Sequence, residues 1–360
     1  MGDLARALHV PPGDVESVVA ACDRFRGAFD RLRAEVGKVV VGQDSVVEET
    51  LVALFAGGHV LLEGVPGLGK TLLVRTLSQS LGLEFGRIQF TPDLMPADIT
   101  GTMVVVEDQH GGREFRFREG PIFANLLLAD EINRASPRSQ SAMLEAMQEG
   151  SVSAGDRTRS LPRPFLVMAT QNPVEQEGTH PLPEAQLDRF LLKIVVPPVV
   201  RRELAEILRR TTVPGEARVD MVLDGEDVLA ARTLARRILI APTVQDYAVR
   251  LVLATHPDGE FSLREQRHYI RYGASPRAAQ ALVSAARVLA LMDGRYAASV
   301  ADVRRIAPSA LRHRVLRTFE AEADGVEADD LVEGILAGVP VETDGVASGL
   351  AAAAAAGGAA

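Results

Sequence analysis

Short apolar runs alternate with amphipathic stretches through the middle of this chain. Five such runs predict β-strands, and the residues between most of them have helical spacing of apolar positions. The predicted strands are 60–63, 86–90, 125–130, 165–170 and 190–196. Because parallel strands that are buried on both faces read as continuous apolar runs, the pattern predicts an α/β fold: a parallel sheet with helices on both faces.

Other patterns flank and interrupt these strands. Residues 14–57 predict two amphipathic helices separated at 37–42. Short strands around turn-like residues predict two β-hairpins, one over 103–117 and one over 151–163, the second after a helix at 136–149. From residue 201 onward the periodicity predicts only helices, over 201–212, 226–238, 243–255, 276–292, 299–318 and 327–337.

These patterns predict four segments. An N-terminal helical extension covers 1–30, the α/β domain covers 31–200, and an all-helical domain covers 201–340. The last residues, 341–360, are rich in Ala and Gly and have few bulky side chains to bury, so we expect them to be disordered.

Composition restricts the class of protein. A hydrophobic content of 47% and a charged content of 24% are ordinary for a soluble globular protein. The net charge of −9 argues against nucleic-acid binding by bulk electrostatics, although a local arginine stripe could still bind a nucleic acid.

Since no signal peptide or bilayer-spanning apolar run is visible, we expect a cytoplasmic protein without membrane insertion. The single cysteine, Cys22, excludes an internal disulfide and lies on an apolar helical stripe, so we expect it in the core.

Residues 64–71 read GVPGLGKT and match the Walker A motif between a predicted strand and a predicted helix. In this motif backbone N–H groups surround the phosphates of a nucleotide, Lys70 neutralises the β and γ oxygens, and the Thr71 hydroxyl holds Mg²⁺. The chain has 39 Lys plus Arg but only three lysines, so a lysine at position 70 suits a site that needs a compact ammonium. The motif predicts binding of a nucleoside triphosphate.

The buried strand 126–129 ends in two carboxylates, Asp130 and Glu131. Asp130 is suited to bind Mg²⁺ through water, and Glu131 is suited to polarise the attacking water. The alternative interpretation is that these two residues are an acidic cap of the following helix. The phosphate-binding loop on the same sheet favours the catalytic interpretation.

Asn172 and Arg189 are two further candidate site residues, and each lies next to a predicted strand. Asn172 comes directly after the strand 165–170, where an uncharged amide can orient a water or touch the γ-phosphate; a plain Asn-Pro turn is the alternative. Arg189 lies just before the last strand. It is either a surface cation or an arginine that projects toward the nucleotide of a neighbouring subunit.

Six segments together resemble the MoxR family of AAA+ ATPases, and they occur in the order of that family. The resemblance covers about residues 30–320 and rests on 41–43, 64–71, 128–134, 170–173, 184–190 and 273–277. It implies a role for each matched residue: Lys70 and Thr71 in Walker A, Asp130 and Glu131 in Walker B, Asn172 as sensor 1, Arg189 as arginine finger and Arg277 as sensor 2. Whether Arg277 would act on its own nucleotide or on a neighbour's stays open.

The resemblance also implies a ligand and an architecture. The helical domain would be a lid, and the two hairpins would be the helix-2 insert and the pre-sensor-1 insert. The expected cofactors are ATP and Mg²⁺, with Thr71 and Asp130 at the metal. We expect the nucleotide to contact Val41, Gly42, Gly64, Pro66, Gly67, Leu68, Gly69, Lys70, Thr71 and Leu72.

The resemblance implies a hexameric ring that hydrolyses ATP and remodels or activates a protein partner. Members of the family are associated with proteins bearing von Willebrand factor A domains and with metal insertion or complex maturation.

Three alternatives to this function remain. A DNA-acting motor of the same clade is disfavoured because the second hairpin offers Arg157, Arg159 and Arg163 but no aromatic residue for base stacking. A small-molecule kinase would not need Arg189, and a non-hydrolysing scaffold would not need Glu131.

Overall fold

The computed structural model describes residues 3–8, 15–65, 67–107, 113–154, 157–172, 179–212 and 218–341. The predicted disordered tail lies outside the described residues from position 342, as do the turns of both predicted hairpins. Backbone contacts divide the chain into two compact units. The first contains residues 24–232 with the helix at 3–8, and the second contains 15–23 and 233–341. This division falls after residue 232, and the domain boundary expected at residue 200 stays a prediction.

The secondary structure alternates in the first unit and is mainly helical in the second. The helices of the described residues are α1 (Asp3–Leu8), α2 (Val15–Gly37), α3 (Asp44–Ala56), α4 (Lys70–Ser80), α5 (Pro96–Thr100), α6 (Pro137–Glu149), α7 (Glu184–Leu187), α8 (Arg201–Thr211), α9 (Gly225–Ala235), α10 (Pro242–Ala254), α11 (Pro276–Met292), α12 (Val300–Leu311), α13 (Phe319–Ala323) and α14 (Ala328–Gly338). The strands are β1 (Val60–Glu63), β2 (Phe85–Gln89), β3 (Gly101–Glu107), β4 (Arg113–Glu119), β5 (Leu126–Asp130), β6 (Ser151–Ala154), β7 (Arg157–Ser160), β8 (Leu166–Gln171), β9 (Leu192–Val195), β10 (Leu239–Ile240), β11 (Ile270–Tyr272), β12 (Ala297–Ala298) and β13 (Leu316–Arg317).

A five-stranded parallel sheet forms the centre of the first unit, with strand order β2-β5-β8-β1-β9. All five strands were predicted, and their ends agree with the predicted ends to within two residues. The register pairs Gln89 with Asp130 and Ala129 with Ala169, so the carboxyl ends of β2, β5 and β8 lie side by side. Residues at the ends of these three strands therefore share one edge of the sheet.

Apolar side chains cover the sheet on both faces. Leu127, Ala129 and Val167 belong to a buried cluster that includes Met143 and Leu144 of α6. The alternate residues of the same strands, such as Leu128 and Met168, are fully buried as well, and α4 contacts β2 and β5. Since successive residues of a strand point to opposite faces, burial of both sets means that the predicted two-sided α/β fold is confirmed.

Both predicted hairpins are present. The antiparallel pairs are β3 with β4 and β6 with β7. The Phe117 ring of the first hairpin packs edge-on against Phe123, and the guanidinium of Arg159, from the second hairpin, lies 4.1 Å from the centre of the Phe117 ring. Farther along the first hairpin, Phe115 and Val105 face each other across the strands and are exposed.

The second unit is built mainly from helices, as the sequence predicts. α11 contributes its buried alanines and leucines and packs against α10 and α12, and α14 packs against α10 and α12. The sequence missed four strands of two or three residues, which pair as β10 with β12 and β11 with β13. The predicted helix over 299–318 is wrong at its end, because α12 stops at Leu311 and Leu316–Arg317 pair with β11 instead. So short a strand has no periodicity that the sequence could reveal.

His59 joins β1 to two neighbouring elements of the first unit. Its Nδ1 accepts a hydrogen bond from the Val167 backbone N–H at 3.0 Å, so the ring is neutral and its Nε2 donates to the Met147 carbonyl at 3.1 Å. Burial lowers the pKa of His59 to about 4, and the charge of Arg232 acts in the same direction. Protonation would place an N–H against the N–H of Val167, so the fold requires the neutral ring.

His59 should therefore make stability depend on pH. Its pKa in the folded protein, about 4, lies below the ordinary value of 6.5, so between these values the unfolded chain binds more protons and stability falls as pH falls. Urea unfolding at pH 7 and pH 5 should show the native protein losing about 2 kcal/mol more than the His59→Asn variant. Parallel losses in the two proteins would contradict this assignment.

Candidate functional site

The loop between β1 and α4 has the backbone geometry of a phosphate-binding loop. Gly67 and Gly69 adopt φ of +84° and +76°, values that a residue with a side chain rarely adopts. α4 begins at Lys70, so the unpaired N–H groups of its first turn point toward the loop. An anion is therefore favoured here. Pro66 of the same motif lies outside the described residues.

Lys70 extends from the first turn of α4 back across this loop. Its Nζ donates a hydrogen bond to the Gly64 carbonyl at 2.5 Å. Burial lowers the pKa of the ammonium, whereas the carboxylates of Asp130, Glu131 and Glu63 raise it. A half-buried cation in this position is stabilised further by any phosphate that enters the loop.

Asp130 ends β5 and is held by neighbours on both sides. Its Oδ1 accepts the hydroxyl proton of Thr170 at 2.7 Å, and its Oδ2 accepts a hydrogen bond from the Arg87 guanidinium at 2.8 Å. Thr170 lies on β8 and Arg87 on β2, the two strands that flank β5. The sheet register thus fixes the direction of this carboxylate.

Glu131 has an unusual backbone. Its φ is +57°, and among the described residues it is the non-glycine residue with positive φ. Its N–H donates to the Thr170 hydroxyl at 2.8 Å, which holds the backbone in this costly conformation. The carboxylate accepts hydrogen bonds from Gln89 and Arg134, each at 3.0 Å. Backbone strain at a polar residue beside a cavity is typical of a functional position.

A cavity of about 500 Å³ opens between these residues. Asn172, which directly follows β8 and is buried, reaches its wall. The described lining is Gly67, Gly69, Lys70, Thr71, Leu72, Arg87, Gln89, Asp130, Glu131, Thr170 and Asn172. The structure thus brings the lysine, the two predicted metal ligands, the predicted base and the predicted sensor amide around one space.

Sequence reasoning missed three residues of this lining: Arg87, Gln89 and Thr170. Arg87 and Gln89 are two residues apart on β2 and therefore lie on one side of that strand. Polar residues at alternate positions near the end of a predicted strand were the available signal. Thr170 belongs to the segment 170–173 of the resemblance but was given no role, because a threonine is ordinary in a strand.

Residues 41–43 border the phosphate loop. The Gln43 side chain donates a hydrogen bond from Nε2 to the Leu68 carbonyl at 2.6 Å, which ties this segment to the loop. Gly42 has φ of +71°, and a β-carbon there would collide with the Glu203 carboxyl group. A second cavity of about 560 Å³ lies here, lined by Val41, Gly42, Asp44, Ser45, Arg202, Glu203 and Glu206.

Arg189, the first of the two predicted arginines, is not among the described lining residues of the first cavity. Arg189 is half-buried in the turn between α7 and β9. Arg277 belongs to the second unit, where its exposed side chain comes from the first turn of α11 and its N–H donates to the Ser275 hydroxyl at 3.1 Å. Their roles as arginine finger and sensor 2 stay predictions.

The donor set suits a magnesium–nucleotide complex. Mg²⁺ prefers oxygen ligands from hydroxyls, carboxylates, water and phosphates. Thr71 and Asp130 supply a hydroxyl and a carboxylate to the same cavity, and Lys70 supplies the positive charge for phosphates. These residues would therefore hold the metal and the β and γ phosphates.

The sheet, the phosphate loop and the paired carboxylates define an AAA ATPase. Residues 59–192 match the model of the ATPase family associated with various cellular activities (AAA), and residues 264–335 match the AAA lid domain. The described helices include none that is long and apolar enough to cross a membrane.

The chain belongs to the MoxR family of these ATPases. It is 45% identical to the chaperone MoxR1 of Mycobacterium tuberculosis over 92% of this chain and 85% of that protein. It is 36% identical to the protein MoxR of Methylorubrum extorquens over 84% of this chain and 90% of the relative. A crystal structure of a candidate ATPase from Cytophaga hutchinsonii superimposes with a TM-score of 0.84 at 43% identity, covering 89% of this chain and 97% of that one.

Removing the Lys70 ammonium should weaken nucleotide binding without unfolding the protein. A hydrogen bond to a charged group contributes about 1.5–3 kcal/mol, so Lys70→Ala should lower the affinity for a fluorescent ATP analogue roughly 10- to 150-fold. Lys38→Ala is the matched control, since Lys38 is an exposed lysine paired with Glu35. Circular dichroism should show the same fold for both variants. Native affinity in Lys70→Ala would remove this lysine from the site.

Proposed function

We propose that this protein is a Mg²⁺-dependent ATPase that hydrolyses ATP in a ring of identical subunits and uses the energy to remodel or activate partner proteins. The observation that carries the proposal is the cavity itself, which combines Lys70, Thr71, Asp130, Glu131 and Asn172. A site that only bound nucleotide would need the phosphate loop but not the paired carboxylates and the amide.

Each residue would contribute one part of hydrolysis. Lys70 would bind the β and γ phosphates, and Mg²⁺ held by Thr71 and Asp130 would neutralise their charge. Glu131 would accept a proton from the attacking water, while Asn172 would orient that water or the γ-phosphate. The second cavity, beside Gly42, is suited to the nucleotide base because Gln43 connects its wall to the phosphate loop.

A ring is supported by the position of Arg189. This arginine is absent from the described lining of the cavity in its own chain, although it precedes β9 of the same sheet. An arginine that completes the site of a neighbouring subunit has to lie outside the cavity of its own chain. Assembly would then be required for turnover, as in ATPases whose arginine is supplied in trans.

Action on proteins is supported by the relatives, one of which is named a chaperone. The resemblance to the MoxR family suggests partners with von Willebrand factor A domains and a role in metal insertion or complex maturation. The exposed Phe115 and Val105 on the first hairpin offer an apolar surface for such a partner. Recovery of proteins that remain bound to a Glu131→Gln variant in ATP tests this part, and stimulation of turnover by DNA would favour a DNA-acting motor instead.

Glu131→Gln should separate binding from hydrolysis. The amide keeps the shape of the side chain but cannot accept a proton, so phosphate release should fall about 10²- to 10⁴-fold while ATP still binds. Glu145→Gln is the control, because Glu145 is an exposed residue of α6. If binding were lost together with turnover, Glu131 would have a structural role instead.

Arg189→Ala tests whether a second subunit completes the site. An arginine supplied in trans contributes roughly 10³–10⁵ in rate, so hydrolysis should collapse while ATP binding persists. Mixing this variant with Lys70→Ala should restore part of the activity, because an intact Lys70 site can then receive Arg189 from its neighbour. Arg33→Ala, at an exposed position of α2, should behave like the native protein. A native rate per subunit that does not depend on protein concentration would exclude the shared site.

A further inference from the structure

Arg87 lines the nucleotide cavity, yet no step of the proposed hydrolysis uses it. It lies on β2, two residues before Gln89, which pairs with Asp130 in the sheet register. Its side chain therefore runs along the strand toward the same edge of the sheet as the catalytic carboxylates.

The Arg87 guanidinium bonds to the predicted metal ligand. One of its terminal nitrogens donates to Asp130 Oδ2 at 2.8 Å and to Gln89 Oε1 at 2.9 Å. The other oxygen of Asp130 is already engaged by the buried Thr170 hydroxyl. Both oxygens of Asp130 therefore have a hydrogen-bond partner, and Arg87 occupies Oδ2.

This arrangement places two cations in competition for one carboxylate. Mg²⁺ coordinated at Thr71 would need Asp130 as an acceptor, directly or through a bound water. Arg87 and Asp130 have side chains that are 47% and 18% exposed, so their ion pair is weak enough to exchange. A guanidinium that leaves the carboxylate stays close to the phosphates, which it binds equally well.

We propose that Arg87 is a positioning residue whose hydrogen bond to Asp130 Oδ2 competes with Mg²⁺ and must be displaced when Mg²⁺-nucleotide binds. Arg87 thereby raises the Mg²⁺ concentration that the site requires. This inference rests on the proposed function, because it needs Asp130 to be a metal ligand.

The test measures how Mg²⁺ changes nucleotide affinity and does not depend on turnover. Binding of a fluorescent ADP is titrated at Mg²⁺ concentrations from excess EDTA to millimolar levels. Arg87→Gln should lower the half-saturating Mg²⁺ concentration about two- to fivefold, which is the range expected for removal of a partly exposed ion pair. Arg87→Lys, which keeps a cation near Asp130, should lie closer to the native value.

Arg134→Gln is the matched control. Arg134 is 45% exposed, close to the value for Arg87, and pairs at 3.0 Å with Glu131 rather than Asp130. The two substitutions remove the same charge from the same region, but only Arg87→Gln removes the hydrogen bond to Asp130 Oδ2. An Asp130→Asn background should abolish the effect of Arg87→Gln.

Two outcomes would overturn the inference while leaving the proposed function intact. One is an unchanged Mg²⁺ dependence in Arg87→Gln, and the other is an equal shift in Arg134→Gln, which would indicate a general charge effect. If the native protein showed no Mg²⁺-dependent nucleotide binding, both the proposed function and this inference would be wrong. Circular dichroism of each variant confirms that it is folded.

Discussion

One buried hydroxyl group controls the geometry of the site. The Thr170 Oγ1 donates to Asp130 and accepts from the backbone N–H of Glu131, at 2.7 and 2.8 Å. It thereby directs one carboxylate and holds the other residue in its left-handed conformation, which would otherwise be costly. This hydroxyl can reach both partners only because β8 lies parallel to β5 and in register with it. The chemistry at the sheet edge thus depends on the packing of two apolar strands.

The carboxylates around the cavity are paired with cations, whereas Lys70 is bonded to a neutral group. Three carboxylates at this edge each have an ion-pair partner: Glu63 with Lys193, Asp130 with Arg87 and Glu131 with Arg134. Lys70 instead bonds to the Gly64 carbonyl. A neutral acceptor leaves its positive charge uncompensated by direct contact, so a phosphate stabilises Lys70 more than it would a paired lysine.

The two hairpins and the strained backbone of Glu131 leave the core of the first unit intact. Both hairpins are inserted between elements of the central sheet and leave its strand order intact. The buried cluster beneath the site continues through Leu127, Ala129 and Val167, directly behind the carboxylates. A rigid apolar layer of this kind can support the local backbone strain at Glu131.

The sequence by itself determined the class of fold and most of the first cavity. Continuous apolar runs specify buried parallel strands, and the 64–71 motif encodes its own loop geometry through Gly67 and Gly69. The roles of Arg87, Gln89 and Thr170 were decided only by tertiary structure, because they depend on which strands are neighbours and in what register. The end of α12 at Leu311 was decided in the same way, by the pairing of Leu316–Arg317 with β11. Local patterns record burial and backbone preference, whereas contacts between distant segments arise only when the sheet has formed.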